Sequence, residues 1–340
     1  MRAKVMVMMS GGVDSSVAAA MLRDAGHDVT GVTLKLWGGE SDSGCCSVSD
    51  VEDARRVAAQ LGIPHYVFNF ADAFDESVVA PYVDSYERGE TPNPCVECNR
   101  TMKFGRVIDR AVQLGYDYVA TGHHARIVST PEGAALARAE DPAKDQSYVL
   151  YMLGKHELAR TMLPIGDITK AEVRDRAHAL GLRTASKRES MDVCFITKGG
   201  RETFLGNRIE RRPGRIVDTE GAVVGTHDGI DAFTIGQRRG LAVAVGERRY
   251  VVDIAPADGT VTVGPENALL RDRVELRDVL LSRALPREFF AQTRAHGTPG
   301  LASFAGDTLV FAEPQRRVAP GQVVAFYDGD ICCGGGIAAN

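Results

Sequence analysis

The chain has 340 residues, of which 44% are hydrophobic and 25% are charged, as in ordinary globular proteins. This composition excludes a disordered protein, a collagen and a membrane bundle, and the length favours roughly two to three domains. The 40 basic and 45 acidic side chains give a net charge of −5, so the global charge does not indicate a nucleic-acid partner. Because no apolar run approaches about 18 residues and no signal peptide is readable, we expect a cytoplasmic protein without a membrane partner.

The first 125 residues repeat one unit, an apolar strand followed by a turn and a helix. This alternation predicts an α/β fold with a parallel sheet and helices on both of its faces. The third helix should be interrupted at Pro81, because proline lacks the backbone N–H that a helix uses. The strands are predicted at residues 5–9, 29–36, 65–70 and 116–121, and the helices at 13–25, 49–61, 73–88 and 99–114.

The pattern changes along the rest of the chain. A hairpin is predicted at 126–139, and a capping-box sequence at Thr169 opens a helix that ends near residue 180. After about residue 203 helical periodicity fades, and short β-like runs predict a small β-rich middle domain and a C-terminal β-barrel-like domain. The expected domains are 1–203, 204–266 and 267–340, and the β-like runs are 215–217, 232–235, 250–254, 260–263, 274–282, 301–304, 308–312 and 323–327.

The most specific local signal is the sequence Ser-Gly-Gly-Val-Asp-Ser-Ser at 10–16, between the first strand and the first helix. Glycines let a phosphate approach the backbone closely, and the amides at a helix N-terminus favour an anion there. The loop has no lysine, so it is not of the Walker A type. It predicts a phosphate-binding loop rather than an ordinary strand–helix turn.

Seven cysteines are too few for a disulfide scaffold, and an odd number indicates thiol, metal or redox chemistry. The alternative is that some are small buried hydrophobic residues; for Cys45 and Cys46 the two interpretations are balanced, and for Cys332 and Cys333 the buried one is favoured. Residues 91–99, Thr-Pro-Asn-Pro-Cys-Val-Glu-Cys-Asn, predict a rigid loop that presents two thiols just before a helix. A thiol at a helix N-terminus has a lowered pKa, which would suit Cys98 to be a thiolate.

These motifs carry a resemblance that covers nearly the whole chain. The loop at 10–16 resembles the pyrophosphate loop of enzymes that split ATP between its α and β phosphates and adenylate a substrate oxygen. Together with Lys-Asp-Gln-Ser-Tyr at 144–148 and Met-Asp-Val-Cys-Phe-Ile at 191–196, the 91–99 segment makes the chain resemble the bacterial tRNA-specific 2-thiouridylases. Further matching segments lie at 120–123, 236–241, 320–322 and 334–337.

The resemblance implies an adenine-nucleotide-binding N-terminal domain and an enzyme that makes 2-thiouridine at wobble position 34 of the tRNAs for Lys, Glu and Gln. ATP with Mg²⁺ would adenylate the C2 oxygen of the uracil, and sulfur from a persulfide on Cys194 would replace it, giving AMP and pyrophosphate. Cys98 would be the nucleophile that releases or otherwise resolves the sulfur, leaving a Cys98–Cys194 disulfide. A sulfur-carrier protein or a cysteine desulfurase would supply the persulfide.

The resemblance also implies contacts for individual residues. Those matched to ATP are Met8, Met9, Ser10, Gly11, Gly12, Val13, Asp14, Ser15, Leu34 and Gly122. Those matched to the target base or the tRNA are Asn93, Pro94, Cys95, His123, Lys144, Asp145, Gln146, Arg294 and Gln322. Residues 201–249 hold nine arginines and seven acidic residues, a modest basic bias that suits a surface following an RNA backbone. Zinc is not expected at His123 and His124, because adjacent residues in a strand point to opposite faces.

Two departures from the family pattern leave alternatives open. This chain has Cys95 where many family members carry Asp, so Cys95, Cys98 and Cys194 could hold an iron–sulfur cluster with one open iron, or Cys95 could be passive. Residues 293–297 read Thr-Arg-Ala-His-Gly where relatives often show Arg-Tyr-Arg, which leaves the tRNA contact doubtful beyond Arg294. An ATP-dependent ligase and a non-enzymatic RNA-binding protein are the other functions considered. The thiols argue against the first, and the intact phosphate loop argues against the second.

Overall fold

The structure is a computed structural model that describes residues 2–36, 47–188, 193–196, 200–241, 243 and 248–339. Cys45 and Cys46 lie outside the described residues, so the expectations for them stay predictions. The helices are α1 Val13–Asp24, α2 Val48–Leu61, α3 (Ala71–Phe74, Asp75–Val79 and Ala80–Glu87), α4 (Pro94–Glu97, Cys98–Arg106 and Val107–Gln113), α5 Lys155–Ala159, α6 Lys170–Ala179 and α7 Gly200–Gly206.

The strands of the described part follow the predicted change from an α/β to a β-rich chain. In order they are β1 Lys4–Met8, β2 Asp28–Lys35, β3 His65–Asn69, β4 Tyr118–Ala120, β5 Arg126–Thr130, β6 Gly133–Ala137, β7 Thr161–Met162, β8 Gly214–Val217, β9 Val223–His227, β10 Tyr250–Ala255, β11 Thr260–Gly264, β12 Leu270–Leu281, β13 Phe289–Gln292, β14 Gly300–Ala305, β15 Thr308–Arg316, β16 Val323–Asp328 and β17 Ile331–Ala338. No helix of the described residues is long and apolar enough to cross a membrane.

The N-terminal sheet is parallel and has the strand order β3-β2-β1-β4-β7. The side chains of β1 alternate between two cores, with Val5 and Val7 in one and Met6 and Met8 in the other. Both faces of the sheet are therefore covered, which explains the unbroken apolar run in the sequence. The predicted parallel sheet with helices on both faces is confirmed.

Two helices differ from their predicted form. Pro81 does not interrupt α3, because the five residues before Ala80 are π-helical and Ala80 donates its N–H to the Asp75 carbonyl.

Helix α4 begins at Pro94, five residues earlier than predicted. Asn93 caps it by accepting a hydrogen bond from the Cys95 N–H at 3.1 Å, and proline is favoured at the first helical position. The prediction of a loop that presents two thiols before the helix was therefore wrong.

The β-rich part forms two sheets. A four-stranded sheet has the order β10-β11-β8-β9, and six strands close into a barrel in the order β12-β15-β14-β13-β16-β17, with β17 pairing back to β12. The predicted barrel-like domain is confirmed. The strand predicted at 232–235 was wrong, since Ile230–Ala232 is a 3₁₀ turn.

Strand β17 contains three consecutive glycines, Gly334, Gly335 and Gly336. The strand must pass very close to its neighbours: a Cβ on Gly334 would lie 2.1 Å from the Leu280 carbonyl oxygen, and one on Gly335 would lie 2.5 Å from a Tyr151 ring carbon. Glycine is therefore required for the barrel to close here.

The predicted hairpin is present as β5 and β6, but it joins the barrel sheet rather than the parallel sheet. Strand β6 pairs with the start of β17, with Ala137 opposite Ile331 and Leu136 opposite Cys332. In addition, the Tyr148 hydroxyl donates to the Val323 carbonyl at 2.7 Å. The barrel and the N-terminal part thus share one core, and this fixed junction positions the site described next.

Candidate active site

The loop between β1 and α1 is held by its own hydroxyls and by α2. Gly11 has a φ of +72°, and a Cβ there would lie 2.3 Å from the Asp50 carbonyl oxygen. The Ser16 hydroxyl donates to the Gly12 carbonyl at 2.7 Å, and the hydroxyls of Ser10 and Ser15 lie 3.3 Å apart. The loop is consequently a tight, pre-formed turn at the N-terminus of a helix, where an anion is favoured.

A pocket opens above this loop, at the carboxyl ends of β1, β2 and β4. Most residues matched to ATP lie together in its lining: Met8, Met9, Ser10, Gly12, Asp14, Ser15, Leu34 and Gly122. Gly11 and Val13 lie outside the lining, since Gly11 shapes the loop and Val13 is buried in the core. A Cβ on Gly122 would lie 2.5 Å from the Ser15 backbone nitrogen, so this position must stay small.

The carboxylate of Asp14 is engaged by two residues that the sequence analysis did not identify. Lys170 Nζ donates to both of its oxygens at 2.7 Å, and His124 Nε2 lies 3.2 Å from Oδ1. Burial raises the pKa of Asp14, but the hydrogen bonds and charges of His124 and Lys170 outweigh burial and hold the pKa below its usual value. Asp14 is therefore ionised and fixed at the pocket.

Lys187 forms a second clamp behind the loop. Its Nζ lies 2.6 Å from Asp50 Oδ1 and 2.7 Å from Asp53 Oδ2, and it donates to the Gly11 carbonyl at 3.0 Å. Burial lowers the pKa of Lys187, but hydrogen bonds to the two carboxylates raise it by more. The chain segment that leads towards Cys194 is thereby attached to the phosphate loop.

A second cavity of about 530 Å³ brings the thiols together. Cys95, Cys98 and Cys194 all line it, although Cys194 is far from the other two in the sequence. Cys98 is buried, Cys194 is half-buried and Cys95 is exposed. Phe195 anchors the Cys194 segment in the core, with its ring centroid 5.3 Å from that of Tyr82 and 5.7 Å from that of Phe74.

The three cysteines are thiols in this structure, and the disulfide implied by the resemblance is not formed between them. Over the described ranges, no group of three or more His, Cys, Asp or Glu side chains is arranged to hold a metal ion. The cysteines share a cavity without converging on one point, so as placed they do not fit an iron–sulfur cluster. For Mg²⁺, both oxygens of Asp14 are already engaged by Lys170 and His124.

The two cavities meet. Leu36, Lys103, His123 and Gln146 line both of them. Burial, with the neighbouring charges of Lys103 and His124, lowers the pKa of His123 well below its ordinary value, so its ring is neutral at pH 7. A hydrogen bond of 2.7 Å joins its Nδ1 to the Thr121 hydroxyl. The nucleotide pocket and the thiol cavity are thus adjacent and share these four lining residues.

The structure places the residues matched to the base or the tRNA in different surroundings. Those that line the thiol cavity are Pro94, Cys95, His123, Lys144, Asp145 and Gln146. Three of the matched residues use their side chains within the protein. Asn93 caps α4, Gln322 donates to the Thr91 carbonyl, and Asp145 is buried with its carboxylate on Arg138, Ser147 and the Ala139 N–H.

Arg294 lies beside the thiol cavity on the barrel, in the loop that brings Ala295 and His296 to the lining. Gln292 holds this loop by donating to the carbonyls of Arg294 and Ala295 at 2.9 and 3.0 Å. Among the arginines of 201–249, Arg211 pairs with the buried carboxylate of Asp231. The other exposed ones in the described part are Arg208, Arg212, Arg215, Arg238, Arg239 and Arg248.

Family models match three consecutive parts of the chain. Their descriptions are tRNA methyl transferase HUP domain at 3–198, tRNA methyl transferase PRC-barrel domain at 202–265 and Aminomethyltransferase beta-barrel domain at 281–338. A parallel-sheet domain of this kind, followed by two β-rich parts, defines a class of tRNA-modifying proteins.

Full-length relatives define the family within that class. The chain is 49% identical to the tRNA-specific 2-thiouridylase MnmA of Roseiflexus castenholzii, over 99% of this chain and 100% of the relative. It is 45% identical to the protein of that name from Desulforamulus reducens, over 98% and 96%. The chain therefore belongs to the tRNA-specific 2-thiouridylase family. A solved 4-thiouridine synthetase–RNA complex with bound ATP is 20% identical, covering 56% of this chain and 44% of that one, with a TM-score of 0.39.

Proposed function

We propose that this protein thiolates the wobble uridine 34 of the tRNAs for Lys, Glu and Gln, using ATP to activate the C2 oxygen of the base. The observation that carries the proposal is the shared boundary of the two cavities. The thiols of Cys98 and Cys194 line one cavity, the phosphate loop lines the other, and His123 and Gln146 line both. Membership of the 2-thiouridylase family supports the same reaction.

In the first step the C2 oxygen attacks the α-phosphorus of ATP. An oxygen–phosphorus bond forms, the bond to the β-phosphate oxygen breaks, and pyrophosphate leaves with the electron pair. The proton on N3 of the base is lost to solvent. Mg²⁺ would be held by the ATP phosphates themselves and would neutralise part of their negative charge. Activation in this way converts a poor leaving group into AMP, which is the purpose of spending ATP here.

In the second step sulfur replaces the activated oxygen. A carbon–sulfur bond forms at C2, the carbon–oxygen bond breaks, AMP leaves with the electron pair, and N3 regains a proton. The sulfur comes from the terminal atom of a persulfide on Cys194. Cys98 thiolate forms a disulfide with Cys194, and the electron pair of the broken sulfur–sulfur bond passes to the transferred sulfur. A dithiol reductant, itself oxidised to a disulfide, restores both thiols, and a sulfur-carrier protein or cysteine desulfurase reloads Cys194.

The base must leave the anticodon stack before an enzyme can act on its C2 position. A cavity of about 530 Å³ lies within the size range of small-molecule sites and suits an extruded base. We assign Lys144 and Gln146 to contacts with the tRNA or the base. Asp145 would act indirectly, because its buried carboxylate fixes the turn that carries them.

The cysteines provide the test. Purified protein is incubated with ATP, a persulfide donor and unmodified tRNA, and 2-thiouridine and AMP are measured. We expect Cys98→Ser and Cys194→Ser each to abolish 2-thiouridine formation while pyrophosphate release continues, because serine keeps the size but loses the thiolate. Cys95→Ser is the matched control on the same cavity, and we expect it to retain most of the activity.

Three outcomes would contradict the proposal. Equal loss in all three variants, with iron and inorganic sulfide in anaerobically purified protein, would make Cys95, Cys98 and Cys194 cluster ligands. A methylated uridine in place of 2-thiouridine would favour the chemistry in the family-model descriptions. ATP cleavage without any change in the tRNA would favour an ATP-dependent ligase.

A further inference from the structure

We propose that Lys103 is a catalytic residue of the thiolation reaction, acting as the cation that contacts the phosphate of the activated base. The inference rests on the proposed function and adds a residue to it. It starts from the position of Lys103, whose side chain lines both the nucleotide pocket and the thiol cavity.

Charge distinguishes Lys103 from the other residues at this boundary. Four residues of the described chain line both cavities, and the remaining three are Leu36, His123 and Gln146. Leucine and glutamine carry no charge. The ring of His123 is neutral because burial, Lys103 and His124 lower its pKa. Within this set, Lys103 is thus the basic side chain at the boundary between the two cavities.

The helix geometry explains how a lysine and a nucleophilic thiol come to share one cavity. In an α-helix each residue turns by roughly 100°, so Cys98 and Lys103, five positions apart, would point about 140° away from each other. The segment Cys98–Arg106 is instead π-helical, with bonds from residue i to residue i+5. This wider turn brings the fifth residue back to the same face. Both side chains accordingly line the thiol cavity.

Both steps of the reaction require a positive charge at this boundary. Negative charge develops on the leaving pyrophosphate in the first step and on AMP as the carbon–oxygen bond breaks in the second. A cation fixed beside the α-phosphate stabilises these states more than the ground state, and this difference accelerates a reaction. The cysteines cannot supply it, because neither a thiol nor a thiolate carries a positive charge.

The experiment compares Lys103→Met, Lys103→Arg and Lys144→Met in the full-length protein. Lys144 is the matched comparison because it lines the thiol cavity but not the nucleotide pocket. We expect Lys103→Met to lower kcat for 2-thiouridine formation by about 100- to 1,000-fold, with the KM for tRNA changed by less than about threefold. Lys103→Arg should restore part of kcat. Lys144→Met should mainly raise the KM for tRNA.

The melting temperature of each variant separates chemistry from folding. If Lys103→Met keeps wild-type kcat, or if it melts earlier and Lys103→Arg fails equally, Lys103 has at most a structural role and the inference is wrong. The failure of the proposed function looks different, because wild-type protein would then form no 2-thiouridine under the same conditions.

Discussion

Asp14 illustrates how single residues hold the phosphate loop in place. Its carboxylate is 29% exposed and pairs with Lys170, whose side chain is 10% exposed. Replacing one partner of such a pair leaves a charge that is poorly solvated. The usual cost of about 3–5 kcal/mol for a buried pair should be reduced here, because His124 and some solvent remain available to Asp14.

We predict that Lys170→Met lowers the free energy of unfolding by about 2 kcal/mol at pH 7. The folded pKa of Asp14 lies below its unfolded value of 3.8, so the stabilisation is present above that value and is lost as the pH falls through the folded pKa. The difference between wild type and variant should consequently be equal at pH 6 and pH 8 and shrink only below about pH 4. Urea unfolding over this range measures it, and a difference that already falls between pH 8 and pH 6 would point to another titrating group.

The lysines that hold the phosphate loop, Lys170 and Lys187, could not be identified from the sequence. The phosphate loop could be recognised because its residues are contiguous and each has a local task. Lys170 lies 156 residues from Asp14, and Lys187 lies 137 residues from Asp50. In the sequence both lysines resemble ordinary helix and surface residues. Only the three-dimensional fold brings them to the loop.

At the level of elements, strands buried on both faces could be predicted from the sequence, whereas irregular helices could not. The run at β1 was predicted to within a residue, because its apolar character follows directly from burial. The start of α4 was missed, since Asn93 and Pro94 were interpreted as a rigid loop instead of as cap and first residue. The π-helical turn was also missed, because no periodicity in the sequence distinguishes it from an α-helix.

Gly105 tests the importance of the π-helical turn. A Cβ at this position would lie 2.8 Å from the Arg100 carbonyl oxygen, five residues earlier in the same helix. Glycine to alanine usually stabilises a helix interior by about 0.5–1 kcal/mol. We predict the opposite sign for Gly105→Ala, a loss of about 1–2 kcal/mol, because the carbonyl must move. Thiolation should fall as well, since Lys103 and Cys98 lie on the same turn.

Gly206→Ala is the control for this substitution. Gly206 is also helical, but a Cβ there would lie 3.4 Å from its nearest neighbours, the terminal atoms of the Arg211 side chain, which is ordinary van der Waals contact. We expect a change within about 0.5 kcal/mol for the control. Chemical denaturation of both variants decides the matter. Stabilisation by Gly105→Ala would mean that the turn relaxes to an α-helix at no cost.

For the molecule as a whole, the barrel is part of the architecture of the active site. Val323, Ala325, Tyr327 and Cys332 belong to the same core cluster as residues of the N-terminal part, Cys98 among them. Deleting the barrel would therefore expose this core and disturb the thiol cavity. Its contribution is better tested at a single junction that leaves the core intact.

Glu90 provides that junction, because it precedes the 91–99 segment and is 4% exposed. Arg277 on β12 holds its carboxylate with two hydrogen bonds of 2.7 and 2.9 Å, and Arg88 lies 3.5 Å away. Burial raises the pKa of Glu90, but the hydrogen bonds and charges of Arg277 and Arg88 outweigh burial and lower it below its ordinary value. The ion pair thus attaches the barrel to the helix that carries Cys95 and Cys98.

We predict that Arg277→Met lowers the free energy of unfolding by about 2 kcal/mol, because a buried carboxylate loses its main partner while Arg88 remains. It should also lower thiolation, since the Asn93 cap of α4 lies just beyond Glu90. Arg273→Met is the matched control on the same strand: Arg273 is 66% exposed and pairs with Asp272 at 3.9 Å, so the expected change is below about 0.5 kcal/mol. Urea unfolding and the thiolation assay measure the two effects. Equal stability losses in both variants would show that strand β12, and not the Glu90 pair, sets the junction.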